Sequence, residues 1–477
     1  MPKSRAGANA ASSKPRRAAA AARKKHPTPA LTVSGSFPII AIGASAGGLE
    51  ALQTFLKHVP EQSGLAFVVV QHLSPSHKGF LVELLQRSTP MPVLQVSDGM
   101  PVRPDHVFLI PPNKDMTIAD GVLHLQPQTS VSGLRLPIDF FFRSLAADQQ
   151  ERCVGVLLSG MGSDGTLGMA AIKEKLGATF VQSPAKFDGM PRSAVDAGVA
   201  DVAAPADELP DKIIAYIRHT PPNRGEEPAI EETAERALEK IYVLLRNQTG
   251  SDFSSYKKNT IYRRIERRMG LHQITSISNY VSYLRENPRE TDLLLKELLI
   301  GVTTFFRDPA AWQVLANDVL PQLLRERQGA LRAWVPGCST GEEAYSLAIV
   351  FKEAAEQLSP PRNVRLQIFA TDLDKDAIEK ARLGLYPPNI AVDVSPERLA
   401  RFFHKTDYGF RIGKEIREMV MFAPQNLVMD PPFTKLDLLT CRNLLIYLSA
   451  EVQKRLMPLF HYSLNPDGIL FLGSAET

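Results

Sequence analysis

Three side chains in the first half of the chain are of the types that nucleophilic catalysis needs, and each falls where an apolar run ends. Ser45 follows Phe37-Pro38-Ile39-Ile40-Ala41-Ile42 within Gly43-Ala44-Ser45-Ala46-Gly47-Gly48. His72 follows the run from Leu65 to Val70, and Asp164 follows Val154 to Leu158 in Ser159-Gly160-Met161-Gly162-Ser163-Asp164-Gly165. Small neighbours admit a substrate to a serine, and the N-terminus of a following helix favours negative charge on an attacked carbonyl. A serine hydroxyl is a weak nucleophile until a base takes its proton, and an acid behind that base fixes its orientation. The three residues therefore fit a hydrolase if the strand ends converge on one crevice. A helix-capping serine is the competing reading of Ser45 taken alone.

A second constellation surrounds Trp334 to Ser346, where an apolar run enters a turn holding Gly337, Ser339, Thr340 and Gly341 and leaves through Glu342 and Glu343 into a helical pattern. Glycines let backbone N–H groups approach a ligand, yet no phosphate-type lysine follows, and two carboxylates suit a cationic or hydroxyl-bearing group. Asp372 comes at the end of the next strand pattern, 31 residues after Gly341. An acid there accepts hydrogen bonds from a ribose diol. Asp374 reads equally as a helix cap. The segment from Leu299 to Pro309 can fold over the turn, offering Thr303 as a hydrogen-bond partner and Arg307 as a fork for a carboxylate. Further strand exits bring Asn426, Arg442 and Asn443. Together these point to a nucleoside-bearing cofactor.

Both constellations require strands that end in turns leading into helices, so the expected class is α/β with more than one core, as 477 residues demand. The expected divisions are a disordered basic tail over 1–36, an α/β domain over 37–220, a Pro-, Gly- and charge-rich linker over 221–232, a helical region over 233–328, and a second, Rossmann-like α/β domain over 329–477. The tail carries eight Lys or Arg and no acid against a net charge of +4, which leaves the remainder net negative by four. No apolar stretch has the roughly 18 to 20 residues needed to span a bilayer. The three cysteines are widely spaced, suit a reducing cytoplasm, and form no metal-type cluster, so no metal is expected. In the helical region, pairs four apart place Arg263 with Arg267 and Arg264 with Arg268 on neighbouring rows. Such a face grips an acidic helix or a nucleic-acid backbone, or is simply solvated.

Over about residues 37–220 the sequence resembles the catalytic domain of the chemotaxis methylesterase CheB. The matching pieces are Ile42 to Gly48, Gln71-His72, Leu157 to Gly165, and Gly189 to Val195. The resemblance implies a parallel-sheet domain with Ser45 as nucleophile, His72 as general base then acid, Asp164 orienting the imidazole, and the Met161 backbone N–H binding the oxyanion. Ala46 stands where family members often have Thr. From about Thr249 onward the chain resembles the chemotaxis receptor methyltransferase CheR, in the segments from Gly250, Val302, Val335, Phe369, Phe422 and Cys441. That resemblance implies S-adenosylmethionine as cofactor and S-adenosylhomocysteine as product. It carries Thr303 and Arg307 to the methionine end, Glu342 or Glu343 to its amino group, and Asp372 to the ribose. Asn426, Leu427, Arg442 and Asn443 fall around the rest, and Tyr447 near the acceptor. Gly301 stands where many members have Asn.

The expectation is a cytoplasmic fusion of two opposing enzymes, a glutamyl methylesterase and a glutamate methyltransferase. Its partner would be a methyl-accepting receptor or another sensory signalling protein, with Arg263, Arg264, Arg267 and Arg268 holding an acidic receptor segment. No nucleic acid is expected as a partner, and the chain is not membrane-embedded. The alternatives are a signalling scaffold with weak or absent catalysis, and the same chemistry on a non-receptor substrate. A transferase fold ordinarily adds a strand pair after Leu472, so continuation beyond Thr477 is expected, and 36 residues before Phe37 cannot supply a receiver domain.

Overall fold

The run Ile39–Ala44 is buried at every position because helices cover both faces of its sheet, the arrangement that makes parallel strands apolar throughout. The computed structural model describes residues 37–72, 80–128, 135–220, 230–299, 301–327, 329–358, 364–407 and 409–476. The basic tail and residues 221–229 of the expected linker lie outside them. Strands β1 (Ile39–Ala44), β2 (Ala66–Gln71), β3 (Val93–Gln95), β4 (Val107–Leu109), β5 (Cys153–Leu157), β6 (Ala178–Gln182) and β7 (Val202–Ala204) form one parallel sheet in the order β7-β6-β5-β1-β2-β4-β3. Its covering helices include α1 (Gly48–Lys57), α2 (Pro137–Gln149), α3 (Thr166–Glu174) and α4 (Leu209–His219). Alternation along β1 sorts the two cores. Ile40 and Ile42 pack with Leu52, Phe55 and Ile213, whereas Ile39 and Ala41 pack with Phe141 and Phe142.

Four helices follow: α5 (Glu232–Thr249), α6 (Lys258–Leu271), α7 (Ile277–Glu286) and α8 (Pro288–Leu299), closed around Leu238, Ile241, Ile265, Tyr280 and Leu294. The second sheet is built from β8 (Ala330–Pro336), β9 (Arg365–Asp372), β10 (Val420–Pro424), β11 (Leu436–Cys441) and β12 (Leu464–Leu472), parallel and ordered β10-β9-β8-β11-β12. Helices α9 (Glu342–Gln357) and α10 (Lys375–Leu383) connect its first strands. A small antiparallel sheet of Leu385–Tyr386, Gly409–Ile412 and Phe403–Thr406 is inserted after α10, and a turn at Pro388–Val392 projects beside it.

In each sheet the first strand of its domain lies between a strand reached at once and one reached much later. β1 has β2 and β5 as neighbours, and β8 has β9 and β11. The loops after two such strands part in opposite directions and leave a crevice at their C-terminal ends. Ser45 and the Gly337–Glu343 turn sit at these two points. No helix among the described residues is long and apolar enough to cross a membrane.

The arginine row of α6 corrects the reading of it as a receptor-holding surface. Arg264, Arg267 and Arg268 are only 4%, 1% and 5% exposed. Arg264 donates to Glu297 at 3.2 Å and to the Glu174 carbonyl at 3.4 Å. Arg267 pairs with Glu297 at 2.9 Å and with Asp201, and donates to the Gly177 carbonyl at 2.9 Å. Arg268 holds Glu290. Asp201, Glu174 and Gly177 belong to the first sheet domain, so this row fastens the helical region to it. Arg263, on the same helix, is half-buried and also has a partner. Helical spacing located the row, but acids 22 to 66 residues away in sequence decide which way it faces.

Candidate active sites

Strand register brings the first constellation together. Ala44 pairs with Gln71 across β1 and β2, so Ser45 and His72 leave adjacent strand ends, and the Ser45 N–H donates to the Ser159 carbonyl beyond β5 at 3.0 Å. His72 Nε2 lies 2.7 Å from Asp164 Oδ2. The Asp164 carboxylate is 2% exposed and sits at the N-terminus of α2. There the Ile138 N–H donates to Oδ2 at 3.1 Å and the Asp139 N–H to Oδ1 at 2.8 Å. These amide donors have no partner within their own helix, and Pro137 before them has no N–H to lose. The carboxylate is thus fixed in place against the imidazole. With Nε2 facing Asp164, Nδ1 is the nitrogen left to take a proton from Ser45, whose hydroxyl makes no hydrogen bond to the ring among the described residues.

The capping alternative for Ser45 does not hold. Helix α1 is capped by Gly47, at φ 71°, with no side-chain cap bond. A Cβ on Gly47 would stand 2.8 Å from Ser159 Oγ and 2.9 Å from the Phe187 ring, so glycine is required there. Gly160 abuts the serine: a Cβ on it would lie 3.0 Å from Ser45 Cβ. The next N–H, that of Met161, has no intramolecular acceptor among the described residues and is free for an oxyanion.

Sequence reading missed Asp139. Its carboxylate is buried behind Asp164, accepts the Gly168 N–H at 2.6 Å, and receives the Asn389 amide from the second sheet domain at 3.3 Å. Burial, and then the charge of Asp164, raises its pKa to about 7. The available signal was an acid two residues after a proline at a helix start, which reads equally as ordinary N-terminal charge.

The second constellation lines a cleft at the C-terminal ends of β8, β9 and β11. Thr303, Arg307, Glu343, Asp372, Asn426, Leu427, Arg442, Asn443 and Tyr447 all face it, together with Tyr256, Gly301, Gly337 and Ser339. The 301–307 segment does fold over the turn: Ser339 Oγ donates to the Gly301 carbonyl at 3.2 Å, and the Phe306 N–H donates to Ser346 Oγ at 3.0 Å. Asp372 accepts the Ser339 N–H at 2.7 Å and the Asp374 N–H at 2.8 Å. Burial pushes its pKa up. Asp374 caps α10, accepting the Asp376 and Ala377 N–H groups. Glu343 accepts from Thr440 Oγ1 at 2.7 Å, and burial pushes it up too.

Glu342 does not line the cleft. It is held by Thr340 Oγ1 at 2.6 Å, and burial raises its pKa to about 7. Successive helix residues differ by about 100° in direction, so only one of the two glutamates can face the strand ends. Arg307 donates to the Val302 carbonyl at 3.2 Å and pairs with Glu174 of α3 at 2.9 Å. Arg442, its guanidinium lying against the Trp312 and Phe471 rings, donates to the Arg307 carbonyl at 2.9 Å. Its Nε and Nη1 are buried with no partner among the described residues. Orphaned donors beside buried carboxylates fit a zwitterionic, hydroxyl-bearing ligand.

A hydrolase-type crevice and a nucleotide-cofactor-type cleft, each at the switch point of its own parallel sheet, define a two-domain α/β protein of the hydrolase-plus-transferase class. Residues 40–213 match the family described as CheB methylesterase. Residues 236–299 match the all-alpha domain of CheR methyltransferase, and 301–477 its SAM binding domain. A chemotaxis protein methyltransferase of Listeria innocua is 31% identical over 50% of this chain and 90% of its own, and that of Escherichia coli is 31% identical over 50% and 82%. A 104.1 kDa uncharacterised protein of Rhodobacter capsulatus is 40% identical over 83% of this chain; the chain spans 44% of its length. The solved catalytic domain of Thermotoga maritima CheB methylesterase is 29% identical, with 38% of this chain and 98% of that one covered and a TM-score of 0.36. The chain belongs to the chemotaxis methyltransferase family and carries a CheB methylesterase domain in the same polypeptide.

Proposed function

We propose that the chain is a two-enzyme adaptation protein that places methyl esters on receptor glutamates and removes them. The supporting observation is that each half brings its chemistry-bearing residues to its own switch-point crevice, with the His72–Asp164 contact in one and the Arg307, Glu343, Asp372 and Arg442 set in the other. In the esterase half, Ser45 Oγ attacks the ester carbonyl carbon while His72 Nδ1 takes its proton. The Met161 N–H meets the oxyanion, and methanol leaves with the proton from His72. Water then cleaves the acyl-enzyme by the same path.

In the transferase half the residues fit S-adenosylmethionine, which supplies an electrophilic methyl group when bound. Asp372 would accept the ribose hydroxyls, Glu343 would face the amino group, Arg307 and Thr303 would hold the carboxylate, and Asn426, Leu427, Arg442 and Asn443 would close the remainder. Tyr447, beside Arg307 in the cleft, would border the incoming glutamate. A carboxylate is already a nucleophile, so these residues need only align it and exclude water. The substrate is proposed to be a methyl-accepting receptor of the cytoplasm-facing sensory type. Incubation with methyl-labelled cofactor and receptor tests both halves together: alkali-labile label should accumulate on the receptor with Ser45→Ala and turn over with wild type. Equal label in both would refute the esterase half, and none in either would refute the transferase half.

A further inference from the structure

Behind the esterase triad, the two domains share a buried polar cluster. Asn389, in the turn that projects from the transferase domain, is 0% exposed, and its Nδ2 lies 3.3 Å from Asp139 Oδ2. Asp139 in turn gives its backbone N–H to Asp164, and Asp164 holds His72. Four residues therefore run in series from one domain into the catalytic imidazole of the other. Beside them Arg143 of α2 makes a two-pronged pair with Asp393 of the same transferase turn, at 3.0 and 3.1 Å.

We propose that Asn389 is a positioning residue of the esterase: reaching in from the transferase domain, its amide fixes Asp139 against Asp164, so that the charge standing behind His72 is set by both domains together. The inference rests on the esterase reading of Ser45, His72 and Asp164. Its physics is that of two carboxylates buried back to back, where the ionisation of one is opposed by the other. The groups facing Asp139 are Asp164 from the loop after β5, the Gly168 N–H from α3, Arg143 from its own helix, and Asn389 from the transferase turn. Gly168, Arg143 and Asn389 favour the charged form; burial and Asp164 oppose it. Removing the Asn389 amide thus tips Asp139 toward its protonated form. An ionised Asp139 adds to Asp164 in stabilising the imidazolium that His72 becomes as Ser45 attacks.

The test uses the full chain in the Ser45→Ala background, with the His72 ring proton followed by NMR across pH, and parallel ester hydrolysis in the Ser45 chain. Wild type should show a second inflection near neutral pH, from Asp139, that Asp139→Asn abolishes. Asn389→Ala should move that inflection upward by roughly one to two pH units, the size expected for one lost hydrogen bond to a charged group. It should have no effect when Asp139 is already Asn. Asn389→Asp, which keeps the side-chain shape, should move it further in the same direction. A merely structural Asn389 would lower turnover without moving the inflection, and an unmoved inflection in a folded Asn389→Asp chain overturns the proposal. Failure of Ser45→Ala to reduce hydrolysis would instead overturn the esterase reading, while the titration would still report on Asn389.

Discussion

Glu174 of the esterase domain stands on Arg307 in the transferase cleft, and replacing it with Gln should tighten cofactor binding. Oxygen and nitrogen are 2.9 Å apart, with the two side chains 18% and 28% exposed. A charged pair this far out of water, but not sealed from it, contributes on the order of 1 kcal/mol. A cofactor carboxylate that needs the same guanidinium must first displace Glu174, so its apparent affinity is reduced by the fraction of chains in which Arg307 is taken. Releasing about 1 kcal/mol should strengthen binding roughly fivefold. Calorimetry with S-adenosylmethionine and S-adenosylhomocysteine reads this directly, without turnover. Arg307→Ala should weaken binding in both backgrounds and make Glu174→Gln silent, since a cycle of the two changes isolates their coupling. Unchanged or weaker binding in Glu174→Gln, with the fold intact, would refute the reasoning.

Other substitutions reach separate parts of the structure. Ser45→Ala should cut methyl-ester hydrolysis by at least about a thousandfold while leaving cofactor affinity unaltered, as followed by methanol release and calorimetry. Gly341→Ala should cost about 1 to 3 kcal/mol, because φ there is 94° and the new Cβ would stand 2.9 Å from Ala381 Cβ. Lower Tm and weaker cofactor binding together are the signature. Glu290 is buried, which alone would raise its pKa, but hydrogen bonds from His272 and Arg268 hold it down at about 2, against 4.5 without them. The unfolded chain then binds the extra proton between those values, so this pair's stabilisation is full above pH 4.5 and lost toward pH 2. Urea midpoints should fall over that interval, and Glu290→Gln should flatten the slope at a lower overall stability.

What could be read from the sequence divides along the range of the interactions. Ser45, His72 and Asp164 were legible because each lies in the loop that leaves the C-terminal end of its strand, and strand ends in a parallel sheet share one edge. The cleft was legible for the same reason at Asp372, Arg442 and the Gly337–Gly341 turn. Choosing Glu343 over Glu342 required knowing that Thr440, at the end of β11, holds Glu343 at the cleft, whereas Thr340 of the turn holds Glu342. The α6 arginines looked like a surface because helical periodicity counts charge as outward. Their acids come from Asp201, Glu290 and Glu297, each on another element, and no local pattern announces them. Asp139 was invisible for a related reason: its neighbour Asn389 arrives 250 residues later.

Arg267 carries a last consequence. It is satisfied by Asp201 and the Gly177 carbonyl on one side of the domain join and by Glu297 on the other. A chain cleaved within 221–229 would give two fragments whose parting breaks the Arg267–Asp201 pair and the bond to the Gly177 carbonyl and wets the packed join, although Lys173 stays with Asp201 and Glu297 with Arg267. The halves should therefore find one another in solution after the backbone is cut, and behave as a nicked whole rather than as two independent modules.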